Sequence, residues 1–550
     1  MRTGALLSAL VPAAHAVQYG DNHVTVRRDS PQVESNFADP GVQLLSPWVL
    51  DNQSWPILRG FHNGTDSPTS HASMDYYLRT LDLRNYWMNY FSAEYLSQEG
   101  RSFPYVYLST SSQPWTSSEP WYTSQPWSQR SNDTRSKVRV WLQGGVHGKE
   151  PAGDQAIMAF LGKLDANQTW AASLLHNVDI MILTRYNPDG VSYFQRTLAT
   201  NYDPNRDHTK LARQQTRDIK KTFSRFAPHV AADMHEYTAS ALYGGSYLPG
   251  ADALFSAAKN LNIDEGIRRM SEELFAPAIG ASVESYGLRW EPYVTGASSN
   301  VTNSTITYYE AGSDAKIGRN AMGLSQAIVF LCETRGIGLA DQEFPRRVTT
   351  GLAMIEGIVQ TASDHAYDVI RVVESGIETF VNSTDSIIVT DGTSRTTRQW
   401  TFVEYESGNL VQAPVEFYSS TPTTANLTRQ RPEAYLIPRA WTDLVDRLKS
   451  SGLEVQKLPY SYRDVVEALT ITNATLSSQY YEGTVLSSVT TRSDSIYVEL
   501  PAGSFWVTTR QKNAALAFVA LEPENIDSYV SFNIIPMEVG DEYPIYRVMP

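Results

Sequence analysis

The feature that most constrains this chain is a short apolar run that leads into a histidine and, three residues later, a glutamate. Val138–Leu142 is predicted as a β-strand, two glycines follow it, and Pro151 suits the first turn of a helix. In a loop between a strand and a helix, His147 and Glu150 can converge on one point. Zinc favours imidazole nitrogen and carboxylate oxygen, and a catalytic zinc site uses three protein ligands. The stretch therefore predicts two ligands of a zinc site.

Strands and helices alternate along the residues that follow. Val178–Thr184 and Val230–Met234 are apolar runs of the buried-strand type, and Ile219–Phe226 between them is helical. This alternation predicts an α/β fold with a largely parallel sheet. Ligands of such sheets collect at the carboxyl ends of the strands, where the histidine motif also lies.

A third zinc ligand has to come from one of the ten histidines. His235 is the best candidate, because it ends an apolar strand where a core histidine has no obvious role. His208 and His229 are weaker alternatives. We therefore predict one zinc ion per chain, bound by His147, Glu150 and His235.

The chain has 550 residues, which exceeds a usual single domain and predicts two folded units. The α/β domain with the metal motif is predicted over residues 73–384, after an N-terminal extension over 17–72. Residues 385–550 are rich in Thr, Ser, Val and Tyr and are predicted as a β-rich accessory domain.

Two individual elements are also predicted from the spacing of apolar residues. Ser73–Leu96 has helical apolar spacing, and Ala514–Leu521 is predicted as a strand.

The N-terminus has the pattern of a secretory signal peptide. Arg2 gives a positive start, Ala5–Val11 is a short apolar run, and Ala14-His15-Ala16 resembles a cleavage site. The pattern predicts a signal peptide over residues 1–16 and a secreted, extracellular protein. No later run approaches the roughly 18–20 apolar residues of a transmembrane helix, so no membrane span is expected.

Surface and partner features agree with secretion. N-linked glycans are predicted at the Asn-x-Ser/Thr acceptors, which are Asn52, Asn63, Asn132, Asn167, Asn300, Asn303, Asn382, Asn426 and Asn473. The net charge of −14 and the lack of a basic cluster argue against nucleic acid as a partner. The single cysteine, Cys332, excludes an intrachain disulfide, which a domain of this size does not require.

A serine-rich stretch over residues 109–136 repeats a Pro-Trp unit every six residues. The units are Pro114-Trp115, Pro120-Trp121 and Pro126-Trp127. Proline opposes regular structure, so a loop is predicted. Its indoles could grip substrate or stack on carbohydrate, and packing on the domain's own surface is the alternative.

Further motifs in chain order make residues 73–365 resemble the zinc carboxypeptidase family, the carboxypeptidase A-like metallopeptidases. They are Asn187-Pro188-Asp189-Gly190, Arg196, Asp203-Pro204-Asn205-Arg206, His235 and Glu333. The resemblance implies a mixed, largely parallel sheet flanked by helices, and a catalytic domain that acts on peptides or proteins. It also implies hydrolysis of the C-terminal peptide bond by zinc-activated water and a glutamate base.

The resemblance assigns roles to four of these residues. Glu333 matches the general base, and a carboxylate can accept and then deliver a proton. Arg196 matches the arginine that polarises the scissile carbonyl, where a cation can share the developing oxyanion. Arg206 offers a bidentate fork for a terminal carboxylate, and Asn205 adds a donor.

Two more roles follow from the family pattern. Asp203 would fix the tautomer of His147 from behind, and a simple turn aspartate before Pro204 is the alternative. Tyr309 resembles the mobile tyrosine that covers substrate, and Tyr308 competes with it for this role.

Substrate preference depends on the segment between Tyr309 and Glu333, which carries Asp314, Lys316 and Arg319. The family's pocket floor lies about seven residues beyond the tyrosine, which points to Lys316. An unpartnered buried lysine would favour an acidic terminal residue. In the alternative, the lysine pairs with Asp314 or faces water.

Two departures from the family pattern leave rival functions open. Glu236 stands where the family usually has serine. The 85-residue interval from Glu150 to His235 is also short compared with that of the family's digestive members. A zinc-dependent deacylase of N-acyl amino acids keeps the same ligands and glutamate, and these departures favour it somewhat. The second rival is an inactive secreted binding glycoprotein, against which the complete ligand set and Glu333 both count.

Overall fold

A computed structural model describes residues 25–52, 67–111 and 137–550, so the predicted signal peptide and the Pro-Trp units lie outside the described residues. The strands up to residue 337 are β1 (Met88–Ser92), β2 (Pro104–Leu108), β3 (Val138–Gln143), β4 (Val178–Leu183), β5 (Val230–Thr238), β6 (Tyr247–Pro249), β7 (Ala253–Ala257), β8 (Trp290–Pro292), β9 (Val294–Thr295), β10 (Thr307–Glu310) and β11 (Ile328–Ile337). The later strands are β12 (Ile387–Glu404), β13 (Leu410–Arg429), β14 (Ala434–Ile437), β15 (Gln456–Lys457), β16 (Tyr462–Tyr481), β17 (Thr484–Leu500), β18 (Phe505–Thr508) and β19 (Tyr546–Val548).

The α-helices lie between and after these strands. In chain order they are α1 (Pro31–Glu34), α2 (Pro47–Asn52), α3 (His71–Arg84), α4 (Pro151–Ala166), α5 (Gln168–Asn177), α6 (Pro188–Tyr193), α7 (Gln214–Phe226), α8 (Glu265–Met270), α9 (Ala276–Ser285), α10 (Gly318–Gly323), α11 (Phe344–Asp364), α12 (Ala366–Asn382), α13 (Thr442–Ser450) and α14 (Ala514–Leu521). A π-helical segment, Ser271–Phe275, joins α8 to α9.

Eight strands of the described residues form a central sheet in the order β1-β2-β4-β3-β5-β11-β7-β8. The middle strands β4, β3, β5 and β11 are parallel. Antiparallel pairing is confined to the pairs β1-β2, β2-β4 and β11-β7. This mixed, largely parallel sheet confirms the predicted α/β fold.

Helices cover the sheet and leave its strand ends free for a site. Helices α4 and α11 pack against each other and against β5 and β11. Phe223 and Phe226 of α7 pack on Trp141 of β3, with ring centroids 5.4 and 6.3 Å apart. Every residue of β4 is buried, as expected for a parallel strand that is covered on both faces.

Two predicted elements differ from the structure. The helical spacing predicted over Ser73–Leu96 ends at Arg84, and Met88–Ser92 instead pairs with β2 at the edge of the sheet. Ala514–Leu521, predicted as a strand, is helix α14, in which all eight residues are buried. Its four alanines favour a helix, and a helix satisfies its own backbone hydrogen bonds wherever it is buried.

The segment after residue 385 is rich in strands, as predicted, and it shares a sheet with the residues before it. Strand β12 pairs with β6, and β13 pairs with β10, within the sheet β6-β12-β13-β10-β9. A third sheet, β15-β18-β14-β19-β16-β17, lies wholly after residue 433. The domain boundaries themselves stay a prediction. In the described part of the chain, no helix combines the length and apolar character needed to cross a bilayer.

Candidate functional site

The loop after β3 depends on two glycines. Gly145 has a φ of 61°, a left-handed conformation that glycine adopts freely. A Cβ on Gly148 would lie 1.9 Å from the carbonyl carbon of Gly190, so only glycine allows this close approach. Asn187 completes the contact, because its Nδ2 donates to the carbonyl oxygen of Val146 over 3.3 Å. The Asn-Pro-Asp-Gly segment at the start of α6 therefore supports the loop that carries the first histidine.

Three buried side chains converge beyond this loop, and they are the predicted ligands His147, Glu150 and His235. Their ligating atoms all lie within 4.8 Å of one another. His147 Nδ1 is 2.8 Å from one carboxylate oxygen of Glu150, and His235 Nδ1 is 2.9 Å from the other. The two Nδ1 atoms are 3.2 Å apart. His208 and His229, the weaker candidates, are not part of this cluster.

The Nε2 atom of each histidine, which faces away from the cluster, contacts a carboxylate. His147 Nε2 is 3.1 Å from Asp203 Oδ1, and His235 Nε2 is 3.1 Å from Asp233 Oδ2. Such carboxylates fix the tautomer and raise the basicity of a metal-binding imidazole. Asp233 is absent from the predicted set, although strand alternation places residues 233 and 235 on one face and is a signal for it.

The electrostatics of the cluster fit a zinc dication. Glu150, Asp203 and Asp233 are buried around two imidazoles. Although burial opposes ionisation, His147 and His235 hold the pKa of Glu150 below its ordinary value. A buried excess of negative charge is costly unless a cation balances it. Two imidazole nitrogens and one carboxylate oxygen also match the donors of a catalytic zinc site with an open position.

Glu333 reaches the metal site through the register of two strands. In the parallel β5-β11 pair, Glu333 lies directly opposite His235. The side chain is buried and lines a cavity of about 420 Å³ that also includes His147 and Glu150. Burial raises the pKa of Glu333 to about 8, against the lowering effect of His235. A dication bound beside the carboxyl group favours its ionised form, so the group is suited to exchange a proton.

Arg196 lines the same cavity and is anchored beside the metal ligands. Its Nε donates to Asp203 Oδ2 over 2.9 Å, and its Nη1 is 3.5 Å from Glu150 Oε1. Although burial lowers its pKa, Asp203 and Glu150 raise it above the ordinary arginine value. Arg196 therefore stays charged at the edge of the cavity.

Arg206 and Asn205 lie on another part of the cavity wall. Arg206 Nη1 donates to the carbonyl oxygen of Asn205 over 2.8 Å, and no carboxylate of the described residues forms an ion pair with it. Asn205 Oδ1 accepts from the backbone N–H of Gly318 over 2.7 Å, which leaves its Nδ2 as a donor. The predicted clamp therefore offers N–H groups from both residues to an anion.

Tyr309 is not brought to the cavity. Its side chain is 47% exposed and stacks on Tyr418, with ring centroids 4.7 Å apart. Tyr308 is buried and lines the cavity, and so does Tyr293, which is absent from the predicted set. Adjacent residues of a strand face opposite sides, and the pairing of β10 with β13 decides which tyrosine faces inward.

Lys316 lines the cavity but is not an unpaired cation. Its Nζ is 2.8 Å from Asp314 Oδ2 and 3.1 Å from Asp527 Oδ1. The expectation that Lys316 is unpartnered is therefore wrong, and the alternative of pairing with Asp314 holds. Asp527 lies 211 positions further along the chain, so no local pattern reveals it.

Glu236, which replaces the family's serine, has a structural role. Its carboxylate accepts from the backbone N–H of Ala152 at the start of α4 and lies 2.6 Å from Arg347 Nη2. Its own backbone N–H donates to Glu150 Oε2 over 3.1 Å. Glu236 thus connects β5, the start of α4 and the predicted metal ligand Glu150.

The C-terminal segment also reaches the site, through the turn between β16 and β17. Glu482 in this turn accepts from the backbone N–H of Asp203 over 2.9 Å, and its carbonyl oxygen accepts from Lys210 Nζ over 2.9 Å. A Cβ on Gly483 would lie 2.0 Å from the hydroxyl oxygen of Tyr202. The turn is therefore packed tightly against the loop that carries the predicted clamp.

Known zinc carboxypeptidases are similar in sequence to this chain. The family model described as zinc carboxypeptidase matches residues 96–247, a range that includes all three predicted zinc ligands. A crystal structure of a metallo-carboxypeptidase from Burkholderia cenocepacia is 14% identical and covers 54% of this chain and 70% of its own, with a TM-score of 0.40.

Two sequence relatives cover almost the whole chain. Carboxypeptidase 2 of Trichophyton equinum is 52% identical over 538 residues, which is 97% of this chain and 96% of that protein. Carboxypeptidase 2 of Trichophyton rubrum is 51% identical over 536 residues, again 97% of this chain and 96% of that protein. The chain therefore belongs to the zinc carboxypeptidase family, and it is a zinc-dependent metallocarboxypeptidase.

Proposed function

We propose that this enzyme is a secreted carboxypeptidase that releases the C-terminal residue of peptides or proteins, with Glu333 as the general base. The observation that carries the proposal is the strand register that sets Glu333 opposite His235, at a cavity also lined by Arg196 and Arg206. A base, a donor for an oxyanion and a clamp for an anion around one metal site suit the hydrolysis of a terminal peptide bond.

The reaction divides between the metal and the chain's own side chains. When bound by His147, Glu150 and His235, zinc supplies a Lewis acid for the scissile carbonyl and makes a water molecule more acidic. Glu333 accepts a proton from the attacking water and delivers it to the leaving amine. Burial favours the neutral carboxylic acid, which helps Glu333 to hold the proton between the two steps.

Arg196 acts on the developing negative charge. Its hydrogen bond to Asp203 restricts the guanidinium, so little reorganisation is needed as the scissile oxygen gains charge. Asp203 thereby contacts both Arg196 and His147 and positions a cationic donor and a metal ligand together.

The terminal carboxylate of the substrate binds at Arg206 and Asn205. A guanidinium presents two parallel N–H groups to a carboxylate, and the amide of Asn205 adds another donor. An internal peptide bond has no carboxylate at this position. The clamp therefore restricts hydrolysis to chain ends.

Secretion and glycosylation are part of the proposal, and peptides rather than nucleic acids are the expected partners of a chain with a net charge of −14. Among the described residues, exposed acceptor asparagines are Asn167, Asn300, Asn303, Asn382, Asn426 and Asn473. Exposure is a requirement for N-linked glycans. After expression in a eukaryotic host, the culture medium should contain protein that lacks residues 1–16 and loses mass on glycosidase treatment. An N-terminus at Met1 or an unchanged mass would contradict this part.

The activity is tested by mass spectrometry of a substrate panel. The panel contains free-acid peptides, the same peptides amidated at the C-terminus, and N-acyl amino acids. We expect stepwise loss of C-terminal residues from the free acids, abolished by a chelator and restored by zinc. Preferential cleavage of the N-acyl amino acids would instead identify a deacylase, and no product from the zinc-loaded protein would identify an inactive binding protein.

A further inference from the structure

Arg319 is a buried cation at the cavity that the mechanism does not use. The side chain is 1% exposed, lies on the short helix α10 and lines the cavity with Glu333. Its Nη2 donates to the carbonyl oxygen of Gly312 over 2.7 Å. Its Nε and Nη1 have no hydrogen-bond partner among the described residues.

No carboxylate of the described residues forms an ion pair with Arg319, although Asp314, Glu310 and Glu333 are near enough to favour its charged form. Asp314 pairs with Lys316, while Glu310 lies 3.3 Å from Lys259 Nζ and accepts from the backbone N–H of Ser420 over 2.7 Å. Burial lowers the pKa of Arg319, which reflects the cost of its desolvated charge. Burying a cation without a carboxylate partner is unfavourable, and removing that cost requires an anion from outside.

The position of Arg319 relative to the predicted clamp narrows the choice of anion. Gly318, its neighbour in the chain, donates its backbone N–H to Asn205 Oδ1. Leu254, Leu331 and Tyr293 line the same cavity. A terminal residue held by its main-chain carboxylate at Arg206 thus has a second cation in the cavity that surrounds its side chain.

We infer that Arg319 is a specificity-determining residue that selects substrates with a C-terminal glutamate or aspartate, an inference that rests on the proposed function. The side-chain carboxylate of the terminal residue supplies the acceptor that Nε and Nη1 lack, and the main-chain carboxylate binds at Arg206. Lys316 does not share this role, because Asp314 and Asp527 already neutralise it.

The decisive measurement is kcat/KM for peptides that differ only in ending in Glu or Gln, which have nearly the same shape. For the wild type we expect a preference for Glu of about tenfold or more, because the Gln side chain has no negative charge to balance the buried guanidinium of Arg319. Arg319→Met should bring the Glu/Gln ratio close to one while a Leu-terminal peptide is still cleaved. Lys316→Met is the matched control and should leave the ratio unchanged.

The wild-type ratio needs no variant, so the test holds even if Arg319→Met does not fold. In that case Arg319→Lys, which keeps the charge but not the planar fork, should retain part of the preference. A wild-type Glu/Gln ratio of one or below, or an unchanged ratio in a folded Arg319→Met protein, overturns the inference about Arg319. Neither result contradicts the proposed function. If the zinc-loaded wild type trims no peptide at all, the proposed function fails and the inference fails with it.

Discussion

The central sheet and the C-terminal segment after residue 433 contribute to the same site by different means. In the central sheet, the proposed base and a predicted metal ligand lie on neighbouring strands, and the ladder register alone sets Glu333 opposite His235. In the C-terminal segment, Glu482 and Asp527 accept hydrogen bonds from the backbone of two cavity loops, at Asp203 and Lys316. One region supplies chemistry, and the other holds loops in place.

The difference has a physical reason. A strand register is set by many backbone hydrogen bonds at once, so residues on adjacent strands keep their relation without outside support. Loops have few regular backbone partners and move more easily. A site built from both strand residues and loop residues therefore needs additional contacts that hold its loops. In this protein, those contacts come from the C-terminal segment.

The largest expected effect tests the sheet. Glu333→Gln keeps the shape of the side chain but removes the base, so turnover should fall by about 10²–10⁴-fold while zinc content stays at one per chain. Glu291→Gln, on β8 of the same sheet but outside the cavity lining, serves as the control and should stay active. Activity of Glu333→Gln within about threefold of the wild type would exclude this residue as the base.

The next test compares two carboxylates that contact the histidine ligands, Asp203 on a loop and Asp233 on a strand. Asp203→Asn and Asp233→Asn should each weaken zinc binding by about 10–100-fold, because each carboxylate orients one imidazole. Competition with a chromogenic chelator measures the affinity. Asp527→Asn, which affects a loop but no ligand, should bind zinc as the wild type does. Unchanged affinity in both variants would show that neither carboxylate supports its histidine.

Arg206→Ala tests the clamp on the loop that Glu482 holds. Loss of a charge-assisted contact should raise KM for free-acid peptides by about 10–100-fold. Peptides amidated at the C-terminus have no carboxylate to lose, and their much slower cleavage should change little. An unchanged preference of the variant for free acids over amides would make Arg206 a structural residue only.

The smallest effect is expected from the C-terminal turn itself. Glu482→Ala removes one hydrogen bond to the backbone of Asp203, a loss of about 1 kcal/mol that corresponds to about fivefold in kcat/KM. Glu499→Ala is the control, because this residue belongs to the same hairpin but forms an exposed ion pair with Arg463. Equal kinetics in the two variants would contradict a supporting role of the turn.

The metal site was predictable because its information is local. His147 and Glu150 are three residues apart, and His235 ends a recognisable apolar run. The spacing of charged residues in the family motifs likewise pointed to Arg196 and to the Asp203–Arg206 segment. Asp233 could have been added from strand alternation alone.

Other features depend on residues that no local pattern connects. Whether Tyr308 or Tyr309 faces the cavity was decided by the pairing of β10 with β13, more than a hundred residues later. Ala514–Leu521 forms a helix that is buried on every side, although its run of apolar residues predicted a strand.

The sequence by itself determined the ligand set, the α/β alternation and the type of chemistry, because each follows from residue types at short spacing. Tertiary structure alone decided which cations remain available to a substrate. Lys316 is neutralised by Asp527, which lies far away in sequence, whereas Arg319 is buried with two nitrogens unpaired. Charge pairing is a property of distances in space, and only the folded chain sets those distances.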